Sequence, residues 1–204
     1  MHKLEVVFVQ GTSLVSKAIR KVSHIIYRGN QTSDFVPSHV LLMLDNKIVF
    51  ESSTYKTDDT GTKVFEKGTR ILLLNDIDDK HKDSIIKRTT ISNDCDVYLA
   101  LKYVAKASNY HYSYKSIFKF LTNGHLKEDN GKPKDEYICS GLVLDALREP
   151  VFKDNNSIQY ITNKFKNVNS NSVTPLDLFM AFNEAGFNFE ETRGYKFVNN
   201  IWPW

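Results

Sequence analysis

The sequence predicts an α+β fold in which an antiparallel sheet forms early in the chain and most helices follow it. Two observations carry this. Short β-rich runs cluster in the first third, and two of them, "HVLLML" and "KIVFES", are separated only by "DN", a hairpin signal. From about Ser92 the apolar residues recur at helical rather than strand spacing. The 204 residues show no internal repeat and no low-complexity tract, which suits one domain spanning 1–204.

In order along the chain, residues 4–9, "LEVVFV", read as a strand ended by Gly11. "TSLVSKAIRKVSHII" places Leu14, Ala18, Ile19, Val22 and Ile26 at helical spacing, with Thr12 or Ser13 as the cap. After the polar loop "RGNQTSDFVPS" come the two hairpin strands, then "TKVFEKG" and "RILLLN" as two further strands around a Gly68 turn. "SNDCDVYLALKYVAKAS" sets Val97, Leu101, Val104 and Ala105 on one helical face, and "YKSIFKFL" is a shorter helix. The charged loop "NGHLKEDNGKPKDE" leads into "YICSGLVLDAL", a helix to about Leu147. "TPLDLFMAFNEAG" is a punctuated helix: Thr174 caps, Pro175 takes the first helical position and Gly186 stops it. The tail "FVNNIWPW" is aromatic.

The net charge of +3 is small and charges of both signs are interspersed, so a nucleic-acid partner is not expected. Two cysteines, Cys95 and Cys139, make neither a disulfide framework nor a four-ligand zinc site, and no histidine pair has metal-ligand spacing. No metal or cofactor is therefore expected. The N-terminal stretch lacks the apolar core of a signal peptide, and no run approaches the ~20 apolar residues of a membrane helix. The chain reads as cytoplasmic, with no transmembrane segment. Lysine far outnumbers arginine and asparagine is abundant, as in AT-rich bacteria and their phages.

Cys139 stands where the charged loop ends and the apolar helical run begins. A helix N-terminus stabilises a thiolate, and its backbone N–H groups can receive an oxyanion; Ser140 and Gly141 would keep bulk low there. Taken alone, the stretch is equally compatible with a buried packing cysteine. A nucleophile needs a base and an orienting group. All six histidines precede Cys139, so any base comes from upstream. His39, at the start of a strand, is the leading candidate, and His111 in "NYHYSY" is its rival. Glu51 is the candidate orienter. Side chains alternate along a strand, so His39 and Glu51 share a face only if the hairpin loop is odd, as with Leu44-Asp45-Asn46, or carries a bulge of the same parity. A two-residue Asp45-Asn46 turn without a bulge turns Glu51 away.

"YICSGLV" resembles the cysteine motif of NlpC-type cell-wall peptidases, a papain-like superfamily. "SHVLLML" stands about a hundred residues before it, with no histidine after it. That order resembles the circularly permuted branch, which holds YiiX-type hydrolases and relatives of lecithin:retinol acyltransferase. "YHYSYKSIFKFL" in the lead-in position and "TPLDL" after the cysteine helix fit as well, whereas the branch's Gly-Asp near the first strand stands here as "QGTS". The resemblance implies a permuted papain-like fold: an antiparallel half-barrel packed on helices, the histidine strand preceding the cysteine helix. It implies a cysteine hydrolase with Cys139 as nucleophile, His39 as base and Glu51 as orienter, and Tyr112 or Tyr114 as an added donor. Substrates would be a peptide, peptidoglycan or a lipid-like amide. Two other readings are a lecithin:retinol-type acyltransferase and a non-catalytic papain-like component of a virion or other assembly.

Overall fold

The computed structural model describes residues 2–27, 34–53, 56–57, 63–64, 68–75, 81–92, 111–112, 126–128, 136–152 and 155–194. The first half contains β1 (Leu4–Gln10), α1 (Leu14–Ile26), β2 (His39–Leu44), β3 (Ile48–Ser53), β4 (Lys56–Thr57), β5 (Lys63–Val64), β6 (Gly68–Leu73) and β7 (Ile85–Ser92). Then come β8 (His111–Tyr112), β9 (Glu136–Tyr137), α2 (Cys139–Leu147), α3 (Asn156–Lys164), α4 (Pro175–Glu184) and β10 (Glu190–Arg193). The fold is α+β. Six strands form one antiparallel sheet in the order β10-β7-β1-β2-β3-β6, packed against helices.

Strand alternation explains how the sheet buries both faces. Leu4, Val6 and Phe8 of β1 join Val40, Leu42 and Leu44 of β2 and Phe50 of β3 in the main core, beneath α2, α3 and α4. Phe8 meets Phe179 and Phe182 of α4 edge to face, with ring centroids 5.2 and 5.5 Å apart. The intervening residues Val7, Val9, Leu41, Met43 and Val49 form a second cluster with Leu74 and Ile86.

The hairpin between β2 and β3 decides which set Glu51 joins. Asp45 and Asn46 both adopt left-handed conformations, with φ of 52° and 56°, and Lys47 N–H donates to the Leu44 carbonyl at 3.0 Å. Such a turn normally pairs the residues flanking it. Here the ladder instead runs Leu44↔Ile48, Met43↔Val49, Leu42↔Phe50. Lys47 is the extra residue, and its carbonyl accepts from Leu74 N–H at 2.8 Å. The loop is odd, as the triad geometry requires, but it is Asp45-Asn46-Lys47 rather than Leu44-Asp45-Asn46. His39 and Glu51 therefore share a face, with Glu51 diagonal to His39 rather than directly opposite.

Three helices start on a side-chain cap: Ser13 for α1, Asn155 for α3 and Thr174 for α4, where Asp177 completes a capping box. Pro175 opens α4, and Gly186 ends it at φ 81°. β7 escaped the sequence reading because Lys87 and Arg88 interrupt its apolar pattern; both pair with acids of β10, Glu191 and Glu190. β5 and β6 do not pair with each other, and Gly68 begins β6 instead of forming a turn. The helices expected over 92–108 and 114–121, Cys95, Tyr114, most of the loop at 123–136 and the aromatic tail lie outside the described residues. Among the described residues no helix is long and apolar enough to cross a membrane.

Candidate active site

His39 is held at the first position of β2 by its neighbour. Ser38 N–H donates to the Val9 carbonyl at 2.9 Å, and the Ser38 hydroxyl accepts from Gly11 N–H at 3.1 Å. A Cβ on Gly11 would lie 2.5 Å from Ser16 Oγ and 3.3 Å from Ser38 Oγ, so glycine leaves room here for both serines. "SHV" is thus a latch between the ends of β1 and β2, with the imidazole at its edge.

Glu51 is fully buried in the middle of β3. Its Oε2 bonds His39 Nε2 at 2.7 Å, and Oε1 accepts from Arg70 Nε at 2.9 Å and from Nη2. Arg70 is the residue directly across the β3–β6 ladder from Glu51. An isolated carboxylate with no exposure would be costly; a guanidinium on one oxygen and an imidazole on the other satisfy it. The sequence reading missed Arg70, because its place opposite Glu51 is fixed by the β3–β6 pairing, which no local pattern shows.

With Nε2 engaged by Glu51, Nδ1 is the ring nitrogen left for the sulfur. Cys139 is the first residue of α2, buried, and its side chain hydrogen-bonds the imidazole. Burial disfavours the imidazolium, but the electrostatic and hydrogen-bond interactions with Cys139, and then those with Glu51, overcome that and raise the His39 pKa to about 9. His39 therefore carries a proton at neutral pH, between the Glu51 carboxylate and the Cys139 side chain.

The N-terminus of α2 differs from those of α1, α3 and α4: Ile138 offers no side-chain cap. The first intrahelical bond is from Leu142 N–H to the Ile138 carbonyl, so the N–H groups of Cys139, Ser140 and Gly141 precede the helical ladder. Those donors gather beside the sulfur and are suited to an anion.

Ser140 and Gly141 are small for a different reason than expected. The Ser140 hydroxyl donates to the Val173 carbonyl at 2.6 Å. A Cβ on Gly141 would sit 2.4 Å from Asn171 Oδ1. Asn171 accepts from Ile138 N–H at 3.1 Å and donates to the Glu136 carbonyl at 2.7 Å, clamping the peptide ahead of the cysteine. The Ser52 hydroxyl adds a bond to the Tyr137 carbonyl at 2.9 Å, tying β3 to the same lead-in. The small residues let α2 seat against the segment 170–173 and so fix the thiol.

The cleft beside His39 is lined by Gly11, Ser16, Ser52, Ser53, His81 and Tyr112, among others. His81 is buried, and its ring lies parallel to that of His39 with centroids 6.2 Å apart. In the sequence it belongs to a charged stretch, and nothing local marks it as a neighbour of the site. Tyr112 is buried, in register with Tyr137 through the parallel β8–β9 pair, whereas His111 and His24 are exposed. The structure thus brings Cys139, His39 and Glu51 together and leaves the rival His111 at the surface. A scan of protein-family models, a search of curated proteins and a search of solved structures each return no match for this chain.

Proposed function

We propose that the chain is a cysteine hydrolase that cleaves an amide or related acyl bond through an acyl-thioester on Cys139. The observation that carries the reading is the chain of contacts Cys139–His39–Glu51, with a 2.7 Å imidazole–carboxylate bond and an uncapped helix end at the sulfur. The order of elements, with a histidine strand ahead of a cysteine helix packed on β2 and β3, supports a permuted papain-like fold.

In the proposed cycle the Cys139 thiolate attacks the substrate carbonyl, and the N–H groups at the start of α2 hold the developing oxyanion. The tetrahedral adduct collapses as the leaving amine takes the proton from His39 Nδ1. Neutral His39 then accepts a proton from water, whose oxygen attacks the thioester. Collapse releases the acid and restores the thiolate–imidazolium pair. Glu51 keeps Nε2 and the ring plane fixed throughout, and Arg70 keeps Glu51 ionised and in place.

The substrate class follows from incubating the protein separately with purified peptidoglycan, peptides and N-acyl amines and assaying for released amines. The chemistry itself is tested by the rate of iodoacetamide alkylation across pH. Cys139 is expected to react well above the rate of a model thiol, and His39→Ala to remove that excess. Alkylation at the model rate in both proteins would sink the proposal.

A further inference from the structure

α1 leaves much of its apolar side in solvent. At 100° per residue, Leu14, Val15, Ala18, Val22 and Ile25 fall on one side of the helix, and Ser16, Ser23 and Arg20 on the other. A helix of this pattern normally buries its apolar side. Here Ser23 is the only buried residue of α1, and Ser16, Ile19, Arg20, Val22 and Ile26 are half-buried, while Leu14, Val15, Ala18 and Ile25 are exposed. Leu14 is 85%, Ile25 48% and Val15 43% exposed. Lys17, Lys21 and His24, all exposed, border that outward stripe. No acidic residue occurs between Glu5 and Asp34, while Lys17, Arg20, Lys21 and Arg28 all do.

We propose that α1 is an interfacial helix that seats on an anionic lipid surface. Its 13 residues give a rod of about 20 Å, suited to lying in the headgroup layer with Leu14, Val15 and Ile25 dipped into the acyl boundary. The lysines beside the stripe would then meet lipid phosphates. Nucleic acid would use the cations and leave the apolar stripe in water. A second copy packed α1 against α1 would bring the lysines of both chains together with no acid on the helix to offset them. The stripe also reaches the site at one edge: Val15 lines the same cleft as His39, together with Ser16 and Ile19 from the helix's inner side. A surface bound by α1 therefore lies at the cleft mouth.

The test is co-sedimentation of the full chain with phosphatidylcholine vesicles, with and without phosphatidylglycerol. Wild type is expected to sediment only with the anionic vesicles and to be released by salt. Lys17→Glu/Lys21→Glu should lower the partition coefficient at least thirty-fold, taking roughly 1 kcal/mol per basic residue. Leu14→Asp/Ile25→Asp should abolish binding, and because these side chains are exposed, its thermal midpoint should match wild type. Cys139→Ala should bind as wild type does, which separates this proposal from the hydrolase reading. Hydrogen exchange on vesicles should show protection concentrated in α1. The proposal is overturned by absence of binding, by equal binding to neutral vesicles, by variants that bind unchanged, or by vesicle-free self-association that α1 variants abolish.

Discussion

The proton on His39 is the most direct handle on this site. Glu51→Gln removes the carboxylate charge while keeping the side chain's shape. The bond lost is a charge-assisted one of 2.7 Å in a site with no exposure on the carboxylate. Bonds of that kind contribute about 1.5–3 kcal/mol, which at 1.36 kcal/mol per pH unit is roughly one to two pH units. The His39 midpoint should therefore fall from about 9 to roughly 7–8. Cys139→Ala should lower it further, because the sulfur raises the imidazole pKa more than Glu51 does. The assay is a pH titration of the histidine ring C–H signals by NMR, with His39 assigned by its absence in His39→Gln. An unmoved midpoint in Glu51→Gln would refute the coupling argued for the carboxylate. A Cys139→Ala shift smaller than that of Glu51→Gln would refute the thiolate–imidazolium pair.

Arg70→Met leaves Glu51 buried without its guanidinium partner, and breaking such a pair should cost about 3–5 kcal/mol in urea unfolding. Adding Glu51→Gln should recover much of that loss, since no charge is then stranded; strictly additive losses would contradict the account. Gly141→Ala drives a Cβ into Asn171 Oδ1 and should destabilise by roughly 1–3 kcal/mol, with slower Cys139 alkylation, and Gly141→Ala/Asn171→Gly should restore part of the stability. The raised His39 pKa contributes stability that is complete below the ordinary value of 6.5 and is lost as pH rises through about 9. The difference in Tm between wild type and His39→Gln should narrow over that window, and a gap constant with pH would count against it.

What could be read from the sequence was what local physics sets. Thr174, Pro175 and Gly186 punctuate α4 because capping, a fixed φ and a left-handed stop are properties of single residues. The hairpin was legible as a parity requirement, and its left-handed turn falls at Asp45-Asn46, residue types that tolerate that conformation. Its bulge was not, because Lys47 is placed by Leu74, a residue of another strand segment. The same limit hid Arg70 and His81, which reach the site through pairings distant in sequence. Ser140 and Gly141 stood out correctly as small, but the surface that demands small residues is the segment 170–173, unknown until α2 is docked. For α1 the periodicity gave the helix and not the side it buries, since that depends on what lies beneath it.

Lys47 also sets a rule for how this hairpin tolerates insertions and deletions. Losing or gaining one residue between Leu44 and Ile48 would invert β3, sending Glu51 into the company of Leu42 and Phe50's neighbours and turning Phe50 toward the imidazole's side. A gain of two only lengthens the loop, and the ladder beyond it keeps its faces. Variants of this loop selected for nothing but a folded protein should therefore differ in length by even numbers. The same filter would keep the carboxylate on the face of the imidazole, so that this part of the site geometry is inherited with foldability.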